Sequence, residues 1–217
     1  MYQREISLSD KSPTKGETSR QNIIEAAYRL FLEKGYNATS IRDISRRCGL
    51  TIGGVYTHFS DKEQIFLAVF SAYHPWRQIL PAMSMAQGDT IDDLLHDMAR
   101  RMIAALGVQR EALNLIFTEV VEFQGRHFAE TLPQFFPGLV EIIEKMSQKQ
   151  GSLRPIPLPV LARSFFGLFF SYFMTNIVLA DRLPFDQNTL DAFVDIYLRG
   201  ILSESGSPKP VSAESGT

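Results

Sequence analysis

With 217 residues, 45% of them hydrophobic and 21% charged, the chain has the composition of a folded globular protein with one large or two small domains. Its single cysteine, Cys48, excludes an internal disulfide framework and points to a reducing, cytoplasmic setting. A formal charge of −2 excludes a histone-like, polycationic grip on nucleic acid, yet the charge is unevenly spread. Residues 1–74 hold 10 Lys/Arg against 8 Asp/Glu, whereas residues 75–217 hold 12 against 16. Arg42, Arg46, Arg47 and Lys62 cluster in the basic half, a modest footprint for DNA.

Residues 1–20 are polar and of mixed charge, without the apolar run of an export signal. Residues 164–180 are uncharged and near the length of a bilayer span of about 20 residues. Ser164, Ser171, Thr175 and Asn176 interrupt that run, and Arg163 and Asp181 bound it closely. It therefore reads as a helix buried on nearly all sides, as at a dimer core, rather than a membrane segment.

Taken in chain order, almost every segment has helical period and none alternates as a strand would. Residues 1–17 read as a disordered arm. Thr18 with Gln21 forms a capping-box start for a first helix, with its apolar stripe at Ile23, Ala26, Ala27, Leu30 and Phe31 and a stop at Gly35. Ser40 with Asp43 opens a second helix that buries Ile41, Ile44 and Cys48 and ends at Gly49. Thr51 caps a short third helix reaching about Phe59. Ser60 with Glu63 opens a fourth, whose stripe is Ile65, Phe66, Val69, Phe70 and Tyr73, and Pro75 marks a break. Longer helices are predicted at residues 90–106, 110–131 and 134–149. A connector containing Pro155, Pro157 and Pro159 leads into a helix at 159–180. Asp186 caps a last helix over 187–202, and a Ser/Gly/Pro-rich tail at 204–217 reads as disordered.

Residues 39–62 carry the functional signal. Two short helices joined by a tight glycine-containing turn form a helix-turn-helix, whose second helix lies in the major groove of DNA. Gly53 and Gly54 each cost about 1 kcal/mol against alanine inside a helix. Glycine at both makes sense where backbone must approach a partner closely. Tyr56, Thr57 and His58 add hydrogen-bonding groups there, Val55 and Phe59 anchor the opposite face, and Lys62 stands where a phosphate could dock.

These residues resemble the N-terminal domain of TetR-family transcriptional regulators. The resemblance runs over residues 21–66: residues 24–27, Leu30 with Phe31, Gly35 with Tyr36, residues 39–44, Gly49 with Leu50, Gly53, residues 55–59, and Asp61 with Lys62 and Glu63. It implies an all-α fold, in which a three-helix DNA-binding domain at 18–74 joins a larger ligand-binding and dimerisation domain at 75–203. It further implies that Thr39, Ser40 and Arg42 contact phosphate or a base at the start of the second helix. Thr51, Ile52, Gly53 and Gly54 would face bases, and Tyr56, Thr57, His58 and Lys62 would sit at the DNA backbone.

Residues 75–203 are rich in Phe and Met, which serve equally as core or as the wall of an apolar cavity. The resemblance favours a cavity for a small apolar or aromatic effector, with Met102, Phe117, Phe123, Phe166 and Phe170 as candidate lining. Glu119, Glu122, Arg126 and His127 would either orient that ligand or form surface salt bridges. One helix-turn-helix reads one half-site, so a homodimer on a palindromic operator is expected. Its interface is placed on the last two helices at Phe166, Gly167, Phe170, Ser171, Phe193 and Tyr197. No HExxH pair, nucleophile elbow or phosphate loop suggests an enzyme, and no cofactor or metal is expected. The alternative reading is a helical small-molecule or lipid carrier without specific DNA binding. It accounts for the aromatic C-terminal half but not for the two glycines, Tyr56 or Lys62.

Overall fold

The computed structural model describes residues 14–108, 113–149, 154–179 and 187–201, and among them there are ten helices and no strand. The chain divides into two units: Met1–His74 with Glu111–Glu130, and Pro75–Arg110 with Thr131–Thr217.

In the first unit, α1 (Lys15–Lys34) starts earlier than predicted. Thr14 and Glu17 form the capping box, Glu17 N–H donating to Thr14 Oγ1 at 3.2 Å and Thr14 N–H to Glu17 Oε2 at 2.7 Å. Thr14-x-x-Glu17 and Thr18-x-x-Gln21 are both start signals. The earlier one prevails because nothing after it breaks the helix, so residues 15–17 are helical rather than part of a disordered arm. Residues 1–13 of that predicted arm lie outside the described residues. The stripe on α1 is buried as expected, from Ile23 to Phe31. α2 (Ile41–Cys48) opens on the Ser40–Asp43 capping box and closes on Gly49, which is left-handed at φ 72°. α3 (Ile52–Tyr56) begins at Thr51, and Val55 and Phe59 are buried beneath it.

α4 (Lys62–Tyr73) is capped by Asp61 rather than by Ser60. The Asp61 carboxylate accepts from Gln64 N–H at 2.8 Å and also from the Ser60 hydroxyl at 2.8 Å, so the serine assists the cap without being it. Ile65, Phe66, Val69 and Phe70 are buried on its inner face, and Tyr73 stacks on Tyr28 of α1 with centroids 3.8 Å apart.

The same unit contains α7 (Leu113–Phe123) and the start of α8 (Arg126–Ser147). The predicted helices at 110–131 and 134–149 are divided elsewhere than expected. The break falls at Gln124 (φ 56°) and Gly125 (φ 78°), and α8 runs on through Pro133 and Pro137. Both prolines are exposed, so the carbonyls they leave without an intrahelical donor face water. Phe123 closes the core at 4.7 Å from Phe66 and 5.0 Å from Tyr36.

The second unit holds α5 (Trp76–Ser84), α6 (Ile91–Val108), the rest of α8, α9 (Leu158–Leu179) and α10 (Gln187–Ile201). Helix α5 is missing from the sequence reading because Pro75 and Pro81 mask it; Pro75 precedes the helix and Pro81 lies within it. On α9, Leu161, Phe165, Phe169 and Tyr172 are buried, whereas Val160, Gly167, Phe170 and Ser171 are exposed. One face of this helix is thus open in the single chain, and the near-complete burial expected of it as at a dimer core requires a second copy. No helix among the described residues is long and apolar enough to cross a membrane. Asp186 and the 204–217 tail lie outside the described residues.

Candidate nucleic-acid interface

The turn from α2 into α3 is built by local chemistry. Gly49 reverses the chain after α2, with its N–H on the carbonyl of Ser45. Thr51 Oγ1 then accepts from Gly54 N–H at 3.0 Å, fixing the start of α3. The Thr57 hydroxyl donates to the Gly54 carbonyl at 2.7 Å and tightens its end. Val55 is fully buried, which leaves Thr51, Ile52, Gly53, Tyr56 and Thr57 facing outward. Tyr56 is 52% exposed, and among the described residues no group takes its hydroxyl.

A Cβ placed on Gly53 would meet only Thr51 Oγ1, at 4.0 Å, so the fold itself does not demand glycine there. At Gly54 it would come within 3.3 Å of the same oxygen and 3.6 Å of Leu50 Cβ. His58 is half-buried behind them.

Charge on this face is sorted by pairing. Asp43 is taken by Lys34 at 2.8 Å and by the Ser40 hydroxyl at 2.7 Å, and these bonds hold its carboxyl well below the ordinary carboxylate range. Arg47 is clamped by Glu33 through two bonds of 2.6 Å. Arg42, by contrast, is exposed and has no partner among the described residues, and Arg46 only approaches Asp43 at 3.9 Å. With the neighbouring acids paired, α2 carries the exposed guanidinium groups of Arg42 and Arg46.

Two predicted contact residues point inward instead. Thr39 is buried and its hydroxyl donates to the carbonyls of Gly35 (2.8 Å) and Leu30 (3.3 Å). Lys62 Nζ donates to the carbonyls of Tyr36 (2.9 Å) and Thr39 (3.0 Å) and lies 4.1 Å from the Tyr36 ring centre; burial pushes its pKa down. Both therefore hold the α1–α2 connection in shape.

Sequence reasoning missed the buried polar network beside α4. Glu119 is fully buried and takes both the backbone N–H and Nδ1 of His127, each at 2.7 Å. His127 Nε2 lies 3.4 Å from Glu63, which also meets Arg126 at 3.2 Å, and Glu122 accepts from Asn37 at 2.8 Å. Residues 119 and 127 meet only because of the turn at 124–125, which no helical spacing announces.

The predicted ligand residues are spread over the two units. Phe123 and the partly exposed Phe117 belong to the first, while Met102, Phe166 and the exposed Phe170 belong to the second. The second unit has a cleft of about 330 Å³ lined by Trp76, Leu80, Phe135 and Gly138, with Arg77 and Glu141 among its polar groups; Phe166 stacks on Trp76 at 5.0 Å. Of the predicted interface set, Gly167, Phe170 and Ser171 are exposed, Phe193 is half-buried, and Tyr197 turns inward to donate to the Leu161 carbonyl at 2.7 Å.

Comparison with known proteins gives this geometry a context. The family model for bacterial regulatory proteins of the tetR family matches residues 23–69, from α1 through most of α4. The HTH-type transcriptional regulator YvkB of Bacillus subtilis is 24% identical over 191 residues, covering 86% of this chain and 98% of its own length. The HTH-type transcriptional repressor AcnR of Corynebacterium efficiens is 42% identical over 62 residues, a match spanning 29% of this chain and only 33% of AcnR. Among solved structures, that of NalD, the secondary repressor of the MexAB-OprM multidrug efflux pump in Pseudomonas aeruginosa, is 26% identical with a TM-score of 0.59, covering 86% of this chain and 98% of NalD.

Proposed function

Since the chain belongs to the TetR family of bacterial regulatory proteins and is thereby a DNA-binding transcriptional regulator, we propose that it is a repressor released by a small effector. Two copies grip an inverted-repeat operator, each laying α3 in the major groove of one half-site. Thr51, Ile52, Gly53 and Gly54 approach base edges, while Ser40, Arg42, Tyr56 and Thr57 hold phosphates. His58 stands beside the strand, and Thr39 and Lys62 position the α1–α2 connection for it. The observation that carries this reading is that Arg42 and Tyr56, without a partner among the described residues, are exposed together with Gly53. An exposed glycine with free space around it has no structural reason in the single chain, but it has one against a duplex.

The open face of α9, with Gly167, Phe170 and Ser171, supports homodimerisation through α9 and α10. The aromatic cleft of Trp76 and Phe135 supports an apolar or aromatic effector in the second unit. The names of AcnR and NalD, both repressors, favour repression over activation. A regulator of this kind works in the cytoplasm, where its DNA is.

The test is selection of bound duplexes from a random pool by the full chain, followed by affinity measurement on the enriched sequence. An inverted repeat is expected, with affinity falling at least about tenfold in Tyr56→Ala and in Gly53→Ala, since each good base or phosphate contact is worth about 1–3 kcal/mol. Enrichment of no motif, or of one bound equally by both variants, would sink the reading.

A further inference from the structure

Helices α6 and α10 of the second unit meet along an acidic seam whose charges are not all answered. Asp97 pairs with Arg101 at 2.8 Å and accepts from Gln87 N–H at 2.8 Å, and Asp191 pairs with Arg100 at 3.3 Å. Asp93 is occupied in capping the helix, accepting from the Thr90 hydroxyl at 2.7 Å. That leaves Asp92 and Asp195, and among the described residues the only group facing either of them is His96. Two carboxylates with one imidazole between them leave an uncompensated negative potential on a half-buried ring.

The ring is oriented as a ligand would be. His96 Nδ1 lies 3.0 Å from the backbone carbonyl of Asp92, one turn back on the same helix, and 3.2 Å from the Asp92 carboxylate, so a neutral ring carries its proton on this nitrogen. Metal-bound histidines are held in the same way, by donating their second nitrogen to a carbonyl or carboxylate. Nε2 then carries a lone pair and points at Asp195 Oδ1, 3.5 Å away. That pairing is repulsive for a neutral ring, and a metal ion or a second ring proton between the two atoms relieves it. Two ligands of one tetrahedral zinc, each at about 2.0–2.2 Å, stand about 3.3–3.5 Å apart. One ligand atom from each of Asp92, His96 and Asp195 lies within 4.8 Å of the others, and both carboxylates are more than half exposed, free to close on an ion. Asp92 and His96 are one turn apart on α6 while Asp195 comes from α10, so the three converge from two helices. Asp92 and His96 border an open groove of about 590 Å³, shared with Asp93, Asp97, Arg100 and Asp191, with room for water to complete the coordination shell.

We propose that Asp92, His96 and Asp195 form a divalent transition-metal site that clasps α10 to α6. The single nitrogen with two oxygens favours zinc over magnesium, which prefers oxygen alone. The site is independent of the DNA-reading face, and its failure or success leaves that reading untouched.

Zinc chloride titrated calorimetrically into the full chain tests it, with magnesium as the control metal. One saturable zinc site per chain is expected, weakened at least about tenfold in both His96→Gln and Asp195→Asn. Asp195→His, which supplies a second imidazole, is expected to tighten zinc binding several-fold, a gain that a misfolded chain cannot mimic. Absence of saturable binding would leave His96 as a proton-bridged clasp between carboxylates and overturn the assignment. So would zinc binding of undiminished strength in His96→Gln or Asp195→Asn, or an Asp195→His chain that binds zinc no tighter than the natural one.

Discussion

Lys62 shows what a sequence pattern conceals at the scale of a single residue. A cation at the start of a helix next to a reading head suggests a phosphate contact. Its ammonium is nevertheless spent on the carbonyls of Tyr36 and Thr39 and on the Tyr36 ring. Lys62→Met keeps the aliphatic stem and removes both donations, so unfolding free energy should fall by about 1–3 kcal/mol in urea titration. Operator affinity should fall with it, but the slope of log affinity against log salt should stay unchanged. A slope reduced by about one would mean instead that the lysine neutralises a phosphate in the complex. Exposed positions such as Arg42 and Tyr56 were legible from sequence because they follow from helical phase alone. The partners of Lys62, Glu119 and His127 were not, because those contacts span 8 to 26 residues and depend on tertiary geometry.

At the scale of elements, caps were legible as a class but not always one by one. Ser40 with Asp43, Gly49 and Thr51 act as their residue types foretell, since each signal stands alone at its boundary. Where two signals adjoin, as Thr14 and Thr18 or Ser60 and Asp61 do, propensity cannot choose between them and packing does. Prolines misled in the opposite direction: Pro81, Pro133 and Pro137 sit inside helices whose tertiary contacts outweigh the lost hydrogen bonds. The turn between α2 and α3, which sets the helix proposed to face DNA, rests on Gly49 in the left-handed region. Gly49→Ala adds a Cβ that meets no neighbour, so its cost is backbone strain alone, about 1–2 kcal/mol of unfolding free energy measured by urea titration. A variant as stable as the natural chain would show that the turn has another conformation open to it.

For the molecule as a whole, His74 is one source of acid sensitivity. The ring is buried between Phe70, at 4.8 Å, and Phe128, at 6.0 Å, and burial pushes its pKa from 6.5 to about 4. Below pH 6.5 the unfolded chain binds a proton here that the folded chain refuses until about pH 4. The contribution of a neutral His74 is therefore whole above pH 6.5 and drains away between 6.5 and 4, by up to about 3 kcal/mol. Urea midpoints of His74→Phe should decline less steeply than those of the natural chain over that window. Parallel declines would place the acid sensitivity elsewhere.

The all-α character and the helix-turn-helix could be read from periodicity and turn chemistry. The membership of the first unit could not, because Glu111–Glu130 joins Met1–His74 across an intervening stretch of chain. That discontinuity bears on modular engineering. A chimaera that transplants only the first 74 residues onto another regulator would arrive with Phe66 stripped of Phe123, Asn37 of Glu122, and Glu63 of His127. The transferable reading head is a composite of two stretches, and any exchange of specificity between relatives must carry both across.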